Sequence, residues 1–469
     1  MYLKRTIDTS LKEWSEKKTR KPLLLRGARQ VGKSTAVRHL GNSFKYFAEI
    51  NFEKSPKASV FFKQDLDVKR IIQQLSALIE VPIIPGETLL FMDEIQSCPE
   101  AIMSLRFFKE DIPDLHVIGA GSLLEFALSE LATFGVGRIH SMFMFPMSFD
   151  EFLEANNGEN ILLKAKRSAS SSSQMAIPLH DKLVSLFRTF LLIGGMPAVV
   201  KNWIETSDYI SCAELLDDLV AGYESDFPKY RKKIDPELMR LTFRSCALQT
   251  SKKFNYSLIG NGYKTDQVKR AVELLILAGI VIPVTKTAAN GIPLGAESDL
   301  SFRKMLILDT GLLLRMLNMA LGDVSEITEQ ILTSTAADLV NKGTIAEMSA
   351  GLEMVKYAGS NIKRELFYWT GNAKNSQAEV DYVTNYLYNI VPIEVKANVQ
   401  GGMKSLWMFM RDKKITKAVR ISLENFGKIT HTDNNDIDST GNPTQRAVEI
   451  CPLYALSSLS GIIKDMFDS

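Results

Sequence analysis

Eight consecutive residues, Gly27-Ala28-Arg29-Gln30-Val31-Gly32-Lys33-Ser34, have the types and spacing that hold a polyphosphate. Their flanks agree. The apolar run Leu23-Leu24-Leu25 precedes them, and a helix-compatible segment from Thr35 to Leu40 follows. Strand, glycine-rich loop and helix start are the context of the P-loop pattern G-x-x-x-x-G-K-[ST]. Successive backbone N–H groups then form a concave nest, and the positive end of the helix points at the same spot. Gly27 and Gly32 permit the loop dihedrals and the close approach of phosphate oxygens. Lys33 is expected to reach the β- and γ-phosphates, and Ser34 to ligate Mg²⁺. Gly27 through Thr35 are therefore the candidate nucleotide-binding residues.

A second stretch answers the first. Thr88-Leu89-Leu90-Phe91-Met92-Asp93-Glu94 reads as a buried parallel strand whose carboxyl end presents two acids. Ligands of open α/β sheets sit outside that end. Asp93 is placed to hold Mg²⁺ through water, and Glu94 to polarise an attacking water as general base. Leu115 to Gly119 reads as another buried strand. Ser122, just beyond it, is either a γ-phosphate sensor or a helix N-cap. Gly137-Arg138 leads into a strand over Ile139 to Phe145. Arg138 is either an arginine finger, acting within its own chain or on a neighbour, or a surface arginine.

A third constellation lies near the end. Thr335 to Tyr357 reads as a long helix containing Glu347. Strands follow at Glu365–Thr370, Glu379–Val383 and Ile390–Lys396, then a helix over Gly402–Lys413 and a strand over Ala418–Leu423. That order resembles the core of PD-(D/E)xK nucleases. Period-2 alternation puts Glu394 and Lys396 on one face of their strand. Asp381 on a neighbouring strand is expected to converge with Glu394 on a divalent cation, and Glu347 to add a carboxylate from the helix. Oxygen ligands suit Mg²⁺ or Mn²⁺, which would serve phosphodiester hydrolysis, with Lys396 orienting the water. The alternative is a retained but inactive fold whose acids and lysine form an ion-pair cluster.

The elements between are mostly helical, over Leu179–Ile193, Tyr209–Tyr223 and Pro236–Gln249. Lys264 to Ala278 forms a helix stopped by Gly279, and Ile280 begins a strand. Helix, turn, helix and β-wing is the order of a winged helix. Lys252, Lys253, Lys264, Lys269 and Arg270 would contact DNA phosphates there, unless the module serves protein contacts. Lys164 to Gln174, polar and serine-rich, is expected to be a mobile surface loop. The amino-terminal segment reads as an amphipathic helix carrying Leu3, Ile7, Leu11 and Trp14.

The glycine-rich loop, Phe-Met-Asp-Glu-Ile-Gln (91–96), Gly121-Ser122, Gly137-Arg138, Phe-Pro-Met-Ser-Phe-Asp-Glu-Phe (145–152) and Gly194-Gly195-Met196-Pro197 occur in that order. Together they resemble a widespread prokaryotic family of AAA-type ATPases with a C-terminal domain of unknown function. The resemblance covers nearly the whole chain. It implies ATP with Mg²⁺, and again a winged helix in the middle. Ser34 stands where many relatives carry Thr; either hydroxyl can ligate Mg²⁺.

Length and composition bound these readings. The chain has 469 residues, enough for about three domains. It is 45% hydrophobic and 23% charged, an ordinary soluble globular composition. A formal net charge of +2 argues neither for nor against nucleic acid. Cys98, Cys212, Cys246 and Cys451 are far apart and form no metal-ligand spacing, as expected of reduced cysteines in the cytoplasm. Neither a signal peptide nor a membrane partner is expected. The expectation is thus a multidomain α/β chain. Residues 1–155 form a parallel P-loop ATPase sheet, 176–330 a helical and winged-helix region, and 331–469 a small nuclease-like domain. Its function is MgATP hydrolysis directed at DNA. The alternative is an ATP-gated switch that binds other proteins, with an inactive nuclease-like domain.

Overall fold

The computed structural model describes residues 2–122, 124–130, 137–156, 160–230, 233–260, 262–317, 342–371, 378–397, 402–438 and 440–468. Two sheets organise the chain. The first contains β1 (Leu23–Arg26), β2 (Tyr46–Asn51), β3 (Thr88–Asp93), β4 (His116–Ala120) and β5 (His140–Phe143). Their order is β2-β3-β4-β1-β5, and every pair is parallel. Alternation along these strands feeds two cores. Leu23, Leu25, Leu89 and Phe91 join one cluster, and Leu24, Leu90 and Met92 the other. With apolar layers on both faces, every residue of β3 and β4 is buried, which is why these strands read as unbroken apolar runs. The helix Thr6–Glu16 packs Ile7, Leu11 and Trp14 into the first of these clusters.

The second sheet has eight strands: β6 (Val281–Thr287), β7 (Ser298–Ile307), β8 (Leu366–Thr370), β9 (Glu379–Tyr386), β10 (Asn389–Val395), β11 (Lys417–Ser422), β12 (Gly427–Ile437) and β13 (Pro443–Pro452). Their order is β12-β13-β11-β10-β9-β8-β6-β7. The expected sequence of helix (Lys342–Lys356), β8, β9, β10, helix (Lys404–Asp412) and β11 occurs within it. Residues 335–341 of the expected helix lie outside the described residues.

The hairpin of β6 and β7, read as a wing, belongs to this sheet: β6 pairs in parallel with β8 from Val284↔Leu366 to Lys286↔Tyr368. The helices Pro236–Leu248 and Thr265–Leu277 do precede it. The boundary expected at 330/331 lies outside the described residues, and the sheet joins strands from both sides of it. Strand pairing between segments far apart in sequence leaves no local mark, so periodicity alone could not reveal this edge.

The Gly194-Gly195 signature is a packing device. Gly194 has φ 72°, and a Cβ there would lie 1.9 Å from Asp309 Oδ1. A Cβ on Gly195 would lie 2.1 Å from the Met147 carbonyl oxygen. The Gly195 N–H donates to Asp309 Oδ2 at 2.7 Å.

Lys164 to Gln174 is a surface loop only in its second half, where residues 169–174 are non-helical and Ser171 to Gln174 exposed. A helix runs from Asn160 to Ser168. Lys166 has no exposed side-chain area and bonds to Asp150, to the Tyr454 carbonyl (3.2 Å) and to Ser457 Oγ (3.0 Å). A buried ammonium is tolerable because three oxygens from two distant segments converge on it, information a composition count does not hold. Lys166→Met takes the buried ammonium from the Asp150 carboxylate and leaves it the Tyr357 and Ser457 hydroxyls and Arg167 at 3.4 Å. It is expected to lower stability by about 3–5 kcal/mol, and adding Asp150→Asn is expected to return much of that loss. Urea unfolding followed by tryptophan fluorescence measures both.

Candidate functional site

β1 ends at Arg26, and the helix Lys33–Gly41 begins six residues beyond Gly27. Between them Gly27, Gln30 and Gly32 take φ of 147°, 63° and 100°. A Cβ on Gly27 would lie 2.1 Å from the Met144 carbonyl oxygen, so only glycine fits beside the end of β5. Lys33 is buried, and its Nζ donates to the carbonyls of Gly27 (2.9 Å) and Ala28 (2.6 Å). Burial pushes the Lys33 ammonium down to about 8, against the opposing pull of Glu94 and Asp93.

Ser34 Oγ donates to Asp93 Oδ1 at 2.9 Å, joining the loop to the end of β3. Asn51, the last residue of β2 and the register partner of Asp93, donates through Nδ2 to Asp93 Oδ2 at 3.0 Å. Arg38 stands 3.8 Å from the same carboxylate. The Ser34 hydroxyl and the Asp93 carboxylate are hard oxygen donors that suit Mg²⁺, whereas the Asn51 amide oxygen accepts from the Glu53 and Lys54 N–H groups at 3.0 Å. Glu94 follows at φ 48°, a left-handed conformation sparsely populated by non-glycine residues and concentrated at functional sites. Gln96 Nε2 donates to its Oε2 at 2.6 Å. Ser122 lies two residues past Ala120, which is opposite both Leu25 and Asp93, so it stands at the same carboxyl edge. Leu123, where the alternative helix cap would begin, lies outside the described residues.

Arg138 is a correction. It precedes β5 at the amino end of the sheet, since His140 lies opposite Leu23 and Phe143 opposite Arg26. The strand's length, roughly 13 Å at about 3.3 Å per residue, separates it from the loop. It is half-exposed and paired with Glu110 at 2.9 Å. An arginine finger acting within its own chain is therefore excluded.

Several site residues carried no sequence signal of their own. Arg29 was expected among the nucleotide-binding residues; its guanidinium grips Asp226 at 2.6 and 2.7 Å. The Tyr223 hydroxyl donates to the Arg29 carbonyl at 2.9 Å, and Arg5 Nη1 to that of Val31 at 2.9 Å. Gln30 and Thr35 are exposed. Asn51 could have been found as the polar end of an apolar strand; Arg5, Tyr223 and Asp226 could not.

A second cluster lies on the larger sheet. Glu347 comes from the helix Lys342–Lys356, Glu379 and Asp381 from one face of β9, and Glu394 from β10. Carboxylate oxygens of Glu347, Glu379 and Asp381 lie within 4.8 Å of one another. Lys396 Nζ donates to Glu394 Oε1 at 2.5 Å, and the Val395 N–H to Asp381 Oδ2 at 2.8 Å. Burial raises Glu347 to about 8 and Glu394 to about 7, with Asp381 adding to both shifts. All four expected residues thus gather in one place, with two more. Glu379 follows from the two-residue period with Asp381. Lys304, from β7, does not: its Nζ bonds Glu347 Oε1 at 2.7 Å and Glu379 Oε1 at 2.5 Å.

Comparison with known proteins bears on the domain that carries the first site. Residues 19–153 match the model of an AAA domain. The N-terminal third carries an AAA-type ATPase-like domain. Residues 184–322 and 342–441 match two domains of unknown function, DUF8612 and DUF4143. No curated protein matches the chain. Similar solved structures include the Walker-type ATPase paby2304 of Pyrococcus abyssi, 17% identical over 67% of this chain and 96% of that one, with a TM-score of 0.42. Another is a STAND-type signal transduction ATPase with a tetratricopeptide repeat sensor from Pyrococcus horikoshii. It is 10% identical over 73% of this chain and 47% of that one, with a TM-score of 0.24. A third is Drosophila ORC bound to DNA, 13% identical over 67% of this chain and 85% of that one, with a TM-score of 0.23. Among the described residues no helix is long and apolar enough to cross a membrane.

Asp93→Asn keeps the shape of the site and removes its charge. ATP binding in Mg²⁺ is expected to weaken by about tenfold or more, while binding in EDTA stays within about twofold. Titration of a fluorescent ATP analogue under the two conditions checks this.

Proposed function

We propose that the chain binds and hydrolyses MgATP at the P-loop. The observation that carries this is the Ser34–Asp93 hydrogen bond of 2.9 Å, set between buried Lys33 and the strained Glu94 at the carboxyl edge of a parallel sheet. The N–H groups of Gly27 to Lys33 bind the phosphates, with Lys33 leaving the Gly27 and Ala28 carbonyls for the β- and γ-phosphate oxygens. Ser34 and Asp93 hold Mg²⁺, which when bound neutralises charge on the phosphate oxygens. Glu94 accepts hydrogen bonds from the attacking water and draws its proton as the γ-phosphorus is approached. Gln96 orients the Glu94 carboxylate, and Ser122 faces the γ-phosphate. Glu94→Gln is expected to lower phosphate release by about 10²–10⁴-fold while ATP binding persists. Equal loss of binding and turnover would overturn the general-base assignment.

The partner we propose is DNA, cleaved at the second cluster with the help of a divalent cation. Two observations favour it. Partly buried acids converge beside Lys396, which is placed to orient a water for attack on a phosphodiester phosphorus. Exposed Lys253 forms a β-bridge with Lys304 itself, and its Nζ lies 4.0 Å from the Phe302 ring, which Lys286 also approaches. Lys252, Lys264, Lys269 and Arg270 are exposed on the same region. A polyanion running over this rim would meet the acids. Replacing Lys252, Lys253 and Lys269 by Ala is expected to weaken duplex DNA binding and to flatten its salt dependence by about 0.9 per lost phosphate contact. Fluorescence anisotropy across a salt series measures the slope. ATP hydrolysis indifferent to DNA, with salt-independent binding, would instead favour a switch that acts on protein partners.

A further inference from the structure

Lys304 is the least expected member of the second cluster. It stands in the middle of β7, its side chain has no exposed area, and its ammonium sits between the Glu347 and Glu379 carboxylates. Those carboxylates, with Asp381, are the ones whose oxygens come within 4.8 Å of each other. A divalent cation with oxygen ligands at about 2.1–2.5 Å needs that same volume. Ammonium and metal therefore cannot both occupy it.

The charge count points the same way. Among the described residues, Glu347, Glu379, Asp381 and Glu394 face the ammonium groups of Lys304 and Lys396. With all four carboxylates ionised, as metal ligands must be, the deficit of two positive charges is that of one divalent cation. Independently, Glu394 is 4% exposed and its Oε2 is buried with no hydrogen-bond partner among the described residues. An acceptor desolvated beside Asp381 and left without a donor is costly; a metal ion is the ligand that would satisfy it.

We propose that Lys304 is a tethered internal cation that holds the cluster shut, and that a divalent metal binds by displacing its ammonium from Glu347 and Glu379. This rests on reading the cluster as a metal site, and it supplies that site with a regulator built into the chain. The cluster is stable without metal because Lys304 neutralises part of it. Metal affinity is correspondingly held low, because loading must break two charge-assisted hydrogen bonds. The lysine reaches the cluster from the edge hairpin rather than from the nuclease-like core. Movement of β7 relative to β9 thus gates the site.

Mn²⁺ alone, titrated into the full chain and followed by loss of the free-ion electron paramagnetic resonance signal, tests this. Five proteins are compared: wild type, Lys304→Met, Lys304→Arg, Asp381→Asn and the double variant Lys304→Met/Asp381→Asn. Lys304→Met is expected to bind Mn²⁺ about tenfold or more tightly than wild type, because a repelling charge is gone. Lys304→Arg, which keeps the charge, is expected to stay near wild type. Adding Asp381→Asn to Lys304→Met is expected to abolish the gain. Should Lys304→Met unfold without metal, recovery of its thermal transition by Mn²⁺ supports the proposal, and failure of Mn²⁺ to restore it overturns it. Asp381-dependent binding of equal strength in wild type and Lys304→Met overturns the gate but leaves the metal site standing. No Asp381-dependent binding in either protein overturns both.

Discussion

The carboxylate of Asp93 is the constraint around which the first half of the molecule is arranged. It is only 4% exposed, and an ionised acid so placed must be surrounded by donors. Ser34 and Asn51 supply them, with Arg38 close by. Ser34 and Arg38 both come from the helix Lys33–Gly41, and Asn51 from the end of β2. The relative heights of β1, β2 and β3 follow from satisfying one buried charge. The same geometry leaves Glu94 at the rim in a strained backbone conformation, where its carboxylate can serve water instead of structure.

The loop beneath is held by side chains far from it in sequence. Arg29 is anchored on Asp226, the Tyr223 hydroxyl caps the Arg29 carbonyl, and Arg5 ties down the Val31 carbonyl. A Cβ on Gly279 would come within 3.5 Å of the Ala28 nitrogen, so the end of the helix Thr265–Leu277 lies directly on the loop. Immediately after Gly279 the chain enters β6, and β7 follows. The two sites therefore share a continuous stretch of backbone, and any change in the loop bears on packed elements that lead to the second sheet.

Buried lysines do the complementary work farther along. Lys166 and Lys304 both have no side-chain exposure. One joins the helix Asn160–Ser168 to Asp150 and to the Tyr454–Ser457 turn, and the other joins β7 to Glu347 and Glu379. Desolvated ammonium groups are stable there only because several oxygens converge on each. Such pairs add little net stability over apolar packing, but they penalise wrong pairings of distant segments.

Local information in the chain sufficed for the P-loop, the acid pair of β3 and the carboxylates of β9 and β10. In each case the chemistry lies within a few residues, and the periodicity of a strand sets which side chains share a face. It also sufficed to name Glu347, Asp381, Glu394 and Lys396 as one group, because a helix and two adjacent strands bring them together. The own-chain finger could not be told from a surface arginine at Arg138 without the end of the sheet on which it falls, which only the parallel register of β1 and β5 supplies. Lys166 looked like part of a soluble loop because solvation of a lysine depends on partners almost three hundred residues away. Lys304 and the Arg29–Asp226 clamp belong to the same class. Charge pairing across the fold is decided by which surfaces meet, and that is settled by tertiary packing, not by the residues on either side.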